Sequence, residues 1–125
     1  MNLLLDTHVL IWIFANDPRL SGSAIATIAD ANNQVFVSAA TAWEIAIKRA
    51  LGKLEAPRDY GDGLKRYRFT PLDFTTEHAL AVEDLPPHHD DPFDRMLIAQ
   101  ANIERLTLVT RDHRMRAYDV RLMAA

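Results

Sequence analysis

Residues 91–112 read DPFDRMLIAQANIERLTLVTRD, and this stretch decides the fold class because one helix and one strand follow each other within it. Asp91 before Pro92 is a strong helix-start signal, since aspartate caps the first turn and proline suits the first helical position. The apolar run that follows predicts a helix over residues 92–105, buried on most sides. The segment at 107–110, TLVT, predicts a buried strand.

The same alternation of short apolar strands and helices runs along the whole chain. Further strands are predicted at residues 2–5, 34–38, 69–72 and 120–123, and further helices at 7–15, 21–31, 41–53, 59–68 and 75–84, with a short helical turn at 112–117. Strands separated by helices predict parallel βαβ units. We therefore expect an α/β sandwich whose central parallel sheet of four to five strands carries helices on both faces.

The third predicted helix has a signal at each end. Ser38 or Thr41 can cap its start, because a hydroxyl oxygen can accept from a free backbone N–H of the first turn. Gly52 can end it, because glycine tolerates the left-handed conformation that commonly follows a helix.

Length and composition indicate one domain spanning residues 1–125. The content of 49% hydrophobic and 25% charged residues is ordinary for a soluble globular protein. The absence of cysteine excludes disulfides and thiolate metal sites. The apolar N-terminal segment is interrupted by Asp6, is too short to span a bilayer and lacks the flanks of a signal peptide. We therefore expect a cytoplasmic protein with no membrane segment.

Net charge does not decide the class of partner. The formal charge of −3 and the isoelectric point near 5.9 weakly disfavour nucleic acid. Four of the 17 acidic residues are, however, candidates for one metal cluster, and without them 13 acids face 14 lysines and arginines. A cluster neutralised by divalent cations would not repel phosphate, so a nucleic-acid substrate stays open.

Four acidic residues are predicted to meet at one edge of the sheet. Asp6 follows the first strand and Asp112 follows TLVT, and in a parallel sheet the ligand pocket lies at the carboxyl ends of the strands. Glu44 and Asp94 lie in helices that leave or enter that edge. Structural alternatives stay open: Asp6 as a helix cap, Glu44 paired with Lys48 at i,i+4, and Asp112 as a turn residue.

The acids of the segment from His88 to Asp94 divide into different roles. Asp91 is fully explained as a helix cap. Asp94, three residues later, either bonds back to the cap amide or faces the edge of the sheet, and we predict the second. His88, His89 and Asp90 precede the cap, where solvated roles are more common than ligand roles.

Several carboxylates without cysteine suit the hard cations Mg²⁺ or Mn²⁺ and hence phosphoryl chemistry. No serine or cysteine triad and no glycine-rich phosphate loop is visible. The rival enzyme class is another Mg²⁺-dependent phosphotransfer domain or phosphatase, although one such family needs a second aspartate where His8 stands. The rival outside enzymes is an inactive binding module that keeps the acids for folding.

Taken together, four segments resemble the PIN-domain ribonucleases. They are Asp6-Thr7 after the first strand, Trp43-Glu44 in the third helix, DPFDRMLIAQA and TLVTRD. Within that family the sequence is similar to the VapC toxins of type II toxin–antitoxin systems, over essentially the whole chain. The resemblance implies a PIN-like sandwich and a Mg²⁺- or Mn²⁺-dependent endoribonuclease. It also implies an RNA substrate, a homodimer and inhibition by a cognate VapB-like antitoxin.

The resemblance also implies roles for individual residues. Asp6, Glu44, Asp94 and Asp112 carry over as the catalytic and metal-binding acids, with Asp6 and Asp94 as principal ligands. Thr110 and Ser38 match polar positions that could orient a carboxylate or a water.

Some residues near these motifs have two interpretations. The nearby arginines either hold phosphates or are solvated or paired with the acids; these are Arg95, Arg111, Arg114 and Arg116. Trp12, Trp43 and Phe93 are predicted to belong to the core rather than to stack on bases.

Overall fold

Five short strands pair in parallel to form one sheet. They are β1 (Asn2–Leu5), β2 (Gln34–Ser38), β3 (Thr70–Leu72), β4 (Thr107–Thr110) and β5 (Leu122–Ala124). Their spatial order is β3-β2-β1-β4-β5. This computed structural model describes residues 1–56 and 58–125.

In the part of the chain that the structure describes, six α-helices connect the strands: α1 (Thr7–Phe14), α2 (Gly22–Ala29), α3 (Ala39–Ala50), α4 (Tyr60–Arg66), α5 (Thr76–Ala81) and α6 (Pro92–Glu104). Two 3₁₀ helices, Val82–Asp84 and His113–Ala117, follow α5 and β4. The predicted α/β class and parallel sheet are confirmed, with five strands. The predicted helix at 75–84 ends in 3₁₀ geometry, and the last strand begins two residues later than predicted.

Both faces of the sheet are buried, as the side chains of β1 show. Leu3 and Leu5 pack into a core with α1 and α2, whereas Leu4 points to the opposite face and packs against α6. This division follows from the two-residue repeat of a strand. All three leucines are fully buried, which explains why the strand is an unbroken apolar run rather than an alternating one.

The chain changes the side of β1 on which it adds strands, and this switch point between β1 and β4 positions the site. The chain builds β1, β2 and β3 outward in one direction and then returns to place β4 on the other side of β1. A crevice forms outside the carboxyl ends of strands at such a switch point. Asp6 follows β1 and Asp112 lies beyond β4, so both aspartates reach this crevice.

The ends of α3 follow the predicted signals. Ser38, not Thr41, caps the helix, because its Oγ accepts from the backbone N–H of Ala40 at 3.0 Å. At the other end Gly52 has a φ of 69°, and its N–H donates to the carbonyl of Arg49. The C-terminal signal at Gly52 is confirmed.

One prediction about the core is wrong. Trp12 is buried, and Phe93 is half-buried, but the side chain of Trp43 is 54% exposed. Trp43 lies on the outer side of α3, where it contacts Phe74 and Phe93. Within residues 1–56 and 58–125, no helix is long and apolar enough to cross a membrane.

Candidate active site

Asp6 is buried and has a partner for each carboxylate oxygen. Oδ1 accepts from the backbone N–H of Val9 at 2.9 Å and so caps α1, while Oδ2 accepts from the hydroxyl of Thr110 at the end of β4. Asp6 therefore caps α1 and at the same time lies against Thr110 at the end of β4, so capping the helix does not exclude a role in the crevice. Thr110, predicted to orient a carboxylate, lies against this one.

Glu44 lies in the second turn of α3 and is only 2% exposed. Thr7 donates to its Oε1 at 2.6 Å, and the ammonium of Lys48 lies 2.5 Å from its Oε2. The i,i+4 pair with Lys48 therefore exists, but its carboxylate is buried, while the side chain of Lys48 is 34% exposed. Thr7 was not singled out from the sequence; its position directly after Asp6 was the available signal.

Asp91 and Asp94 make different contacts, although they lie only three residues apart. Asp91 Oδ1 accepts from the backbone N–H groups of Phe93 and Asp94 at 2.8 and 3.1 Å, which confirms it as the cap of α6. The carboxylate of Asp94 instead lies 2.7 Å from His89 Nε2. The expectation that His89 lies in a solvated loop is wrong, because its side chain is buried.

Asp112 caps the 3₁₀ helix that follows β4 and is also paired. Its Oδ1 accepts from the backbone N–H of Arg114, whose guanidinium binds both carboxylate oxygens. Its Oδ2 also lies 3.9 Å from His89 Nε2. His89 thus stands between Asp94 and Asp112.

The four predicted acids share one electrostatic environment. Burial, together with the charges of Asp91, Glu44 and Asp6, raises the pKa of Asp94 to about 6, against the contact with His89, which lowers it. An acid whose pKa rises in response to three other carboxylates lies in a region with an excess of negative charge.

The other carboxylates of the site respond to their own partners. Burial raises the pKa of Asp6, while the bonds from Thr110 and Val9 lower it. The guanidinium of Arg114 lowers the pKa of Asp112. The hydrogen bond to Glu44 raises the pKa of Lys48. Glu44 and Asp112 are therefore already paired with Lys48 and Arg114. Asp6 and Asp94 have raised pKa values instead, which a bound cation would lower.

The donor set fits a divalent cation. Ligand atoms of His89, Asp94 and Asp112 all lie within 4.8 Å of one another, so one ion could contact all three. This group includes two of the predicted metal ligands and adds a histidine. Asp6 and Glu44 lie outside it, in contact with Thr110 and with Thr7 and Lys48 respectively.

Ser38, the second predicted supporting residue, lies elsewhere. Its hydroxyl donates to Gln100 Oε1 at 2.5 Å, and Gln100 in turn donates to the carbonyl of Asp73 at 3.3 Å. Both side chains are fully buried. The described contacts of Ser38 hold β2, α6 and the end of β3 together rather than a site carboxylate.

The predicted phosphate-binding arginines already have partners within the chain. Arg95 donates to backbone carbonyls within residues 82–89 and to the hydroxyl of Tyr118. Arg111 donates to the carbonyls of Arg19 and Ala125. The third, Arg114, is bound to Asp112 at the site. Phosphate binding by these residues stays a prediction, and Arg114 is the best placed for it.

Comparison with known proteins finds a ribonuclease with a similar sequence. Over 70 residues the chain is 39% identical to Ribonuclease VapC16 of Mycobacterium tuberculosis. That match covers 50% of this chain and 48% of the relative, so the chain matches about half of the relative's length.

Solved structures share the fold at low sequence identity. VapBC2 from Rickettsia felis, bound to a DNA fragment from its promoter, superposes with a TM-score of 0.74 at 17% identity, covering 99% of this chain and 98% of that chain. DNA-bound VapBC from Salmonella typhimurium gives 0.71 at 18% identity, with the same coverage. FitAcB from Neisseria gonorrhoeae gives 0.61 at 21% identity, covering 98% and 96%.

The sequence profile of the PIN domain matches residues 3–121, nearly the whole chain. That span includes β1 with Asp6, α3 with Glu44, the start of α6 and the end of β4, which together build the acidic site. Because the profile match, the sheet order and the site agree, the chain belongs to the PIN-domain family.

Proposed function

We propose that this protein is a metal-dependent endoribonuclease, the toxin of a VapBC-type toxin–antitoxin system, formed by residues 1–125 as a single PIN domain. One observation carries the proposal. The charges of Asp6, which follows β1, and of Glu44 from α3 add to burial in raising the pKa of Asp94 in α6 to about 6. His89 stands between Asp94 and Asp112, which lies beyond β4. Such an excess of negative charge at the edge of a parallel sheet suits a cation-dependent reaction on a phosphodiester.

The chain's own residues hold the acids in place for that reaction. Thr110 fixes one oxygen of Asp6, and Thr7 with Lys48 fixes both oxygens of Glu44. His89 Nε2 lies 2.7 Å from the carboxylate of Asp94 and 3.9 Å from that of Asp112, so the ring stands between these two acids. We assign catalytic and metal-binding roles to Asp6, Glu44, Asp94 and Asp112.

Mg²⁺ or Mn²⁺ is the cofactor that this donor set fits, because the ligands are carboxylates with one imidazole and no thiolate. When bound, such an ion lowers the pKa of a coordinated water and offsets charge on the phosphate. His89, Asp94 and Asp112 are the side chains best placed to hold it, with Asp6 and Glu44 completing the acidic site.

The decisive experiment measures cleavage of a fluorescently labelled RNA mixture by purified protein. We expect cleavage with Mg²⁺ or Mn²⁺, none in EDTA, and recovery when the cation is returned. Asp94→Asn, which keeps the side-chain shape, should lose most of this cleavage, whereas Asp30→Asn, on an exposed acid at the end of α2, should not. Full cleavage in EDTA would exclude the mechanism. Hydrolysis of a small phosphomonoester without RNA cleavage would favour a phosphatase.

The partner of the proposed toxin is an antitoxin protein, and we propose a cytoplasmic homodimer that this antitoxin inhibits. The support is the sequence similarity to a VapC ribonuclease and the fold shared with VapBC complexes. Expression of the chain alone should slow bacterial growth, and expression with the neighbouring small open reading frame should restore it. Light scattering during gel filtration tests the dimer directly.

A further inference from the structure

We infer that Trp43, Phe74 and Phe93 form an aromatic platform on which a base of single-stranded RNA stacks next to the acidic site. The inference rests on the proposed ribonuclease function and adds a substrate-positioning surface to it. The rings of Trp43 and Phe74 lie 6.3 Å apart at an interplanar angle of 29°, and those of Trp43 and Phe93 lie 5.2 Å apart, edge to face.

The platform is exposed, although its residues are large and apolar. The side chain of Trp43 is 54% exposed and that of Phe74 is 40% exposed. Leaving aromatic surface in water forgoes the stabilisation that burial would give, and tryptophan carries one of the largest such surfaces. Neighbouring exposed aromatic rings therefore favour a binding role over a structural one.

The platform is continuous with the acidic site. Trp43 directly precedes Glu44, and Phe93 directly precedes Asp94. The ammonium of Lys48, bonded to Glu44, lies 6.0 Å from the centroid of the Phe93 ring. One lysine side chain therefore contacts both the platform and the site.

The platform lies along the same edge of the sheet as the acidic site. Phe74 follows β3, as Asp6 follows β1, so both lie at the carboxyl edge of the same parallel sheet. Their strands are separated by β2 and hence by about 10 Å. A flexible single strand whose phosphate lies at the acids would place a neighbouring base over the platform.

A base is the occupant that this chemistry favours. Single-stranded RNA is recognised mainly by stacking of unpaired bases on aromatic rings, which tolerates any base. The Trp43 and Phe74 rings stack at an angle of 29° and both stay at least 40% exposed, so aromatic surface is left on which a base can stack. The adjacent Lys48, bonded to Glu44, offsets the charge of that acid beside the platform and so reduces its repulsion of a nearby phosphate.

The test compares Trp43→Ala with Trp43→Tyr and with Leu51→Ala, the last on another exposed apolar residue at the end of the same helix, 63% exposed. With an unstructured RNA oligonucleotide and Mg²⁺, we expect Trp43→Ala to raise KM about 5- to 150-fold. The kcat should stay within about twofold, because the acids are untouched. Tyrosine should restore most of the affinity, and Leu51→Ala should have no effect.

Two further measurements separate stacking from an effect on folding. In EDTA, RNA should quench tryptophan fluorescence in the wild type but not in Trp43→Tyr, where only buried Trp12 remains. A series of oligonucleotides that each lack one base should contain one position where base removal weakens wild-type binding as much as Trp43→Ala does. Removing that base should then cost the Trp43→Ala variant little, since the lost contact is the same one.

Other results would overturn the inference. If Trp43→Ala leaves KM unchanged but weakens inhibition by the antitoxin, the platform binds that protein. If Trp43→Ala changes only the sedimentation of the free protein, the platform is a contact between copies of the chain. Wild-type protein that neither binds nor cleaves RNA would refute the proposed function together with this inference, whereas an active enzyme indifferent to Trp43→Ala would refute the inference alone.

Discussion

Helix α6 carries a histidine–carboxylate pair at each end, and the comparison shows that the pair itself does not make a site. At the carboxyl end, His78 Nε2 lies 3.0 Å from Glu104; at the amino end, His89 Nε2 lies 2.7 Å from Asp94. Both histidines are buried.

The surroundings of the two pairs differ. His78 accepts from the backbone N–H of Thr75 through Nδ1, which leaves Nε2 as the donor to Glu104. It completes the capping box of α5. His89 stands between two carboxylates, and its partner Asp94 responds to three others. An excess of acid over base, rather than the contact geometry, marks the amino end as the site.

Removal of the carboxylate at each end should give the largest difference. Asp94→Asn should lower kcat on RNA by a factor on the order of 100 or more, because the cation loses a charged ligand. Glu104→Gln should leave kcat unchanged within error. Equal activity of the two variants, measured per folded molecule, would refute the distinction between the ends.

Removal of His78 should mainly lower stability, whereas removal of His89 should mainly lower activity. His78→Ala should lower the free energy of unfolding by about 1–3 kcal/mol, because a buried ring and its bonds to Thr75 and Glu104 are lost, while the folded fraction keeps full turnover. His89→Ala should lower turnover by about 10- to 100-fold. Urea unfolding and RNA cleavage on the same preparations check both. A fully active His89→Ala would remove His89 from the site.

Without metal, the carboxylate at the amino end of α6 should make stability depend on pH, and the carboxylate at the carboxyl end should not. The pKa of Asp94 is raised from 3.8 to about 6, so its protonation stabilises the folded state below pH 4, and that stabilisation is lost as the pH rises through 6. The Tm in EDTA should therefore fall from pH 5 to 7.5 more steeply for wild type than for Asp94→Asn. Glu104→Gln serves as the control with the wild-type slope. Identical slopes for wild type and Asp94→Asn would contradict the raised pKa.

Mg²⁺ should act on the amino end alone. A cation that binds the folded state raises Tm by mass action, and the increment should disappear in Asp94→Asn and persist in Glu104→Gln. Thermal unfolding across a Mg²⁺ titration measures it. An increment of the same size in Asp94→Asn would place the ion elsewhere.

The smallest effect concerns the cap next to the site. Asp91→Ala should cost about 0.5–2 kcal/mol of stability, and Asp91→Ser should recover most of it, because a hydroxyl can accept the same N–H groups. Turnover per folded molecule should largely survive both changes. An Asp91→Ser variant that is stable but inactive would make Asp91 part of the site.

Features set by neighbours in sequence were predictable. The start of α6 depends on Asp91 and Pro92, and the end of α3 on Gly52, so each can be identified from a few letters. The positions of Asp6 and Asp112 after strands likewise predicted their meeting, because parallel strands end at one edge.

Features set by packing were not predictable. His89 is buried because the loop before α6 folds back so that the ring meets Asp94, and nothing local requires that path. Arg95 binds the carbonyls of the same loop instead of facing outward. Trp43 is 54% exposed although it belongs to an apolar segment, because burial of a helix face depends on where the other elements pack and not on the residue type.

The three buried leucines of β1 affect how the register of this strand against β4 is specified. Because Leu3, Leu4 and Leu5 are all buried, β1 presents leucine to both faces of the sheet, and its apolar pattern alone distinguishes neighbouring registers less sharply than an alternating strand would. Asp6 removes the ambiguity, because its carboxylate meets the Thr110 hydroxyl in only one alignment. The same residue that we place in the active site thus also fixes the register of the central strand. Replacing it with leucine would extend the apolar run and favour misaligned sheets, so Asp6→Asn is the better inactive variant.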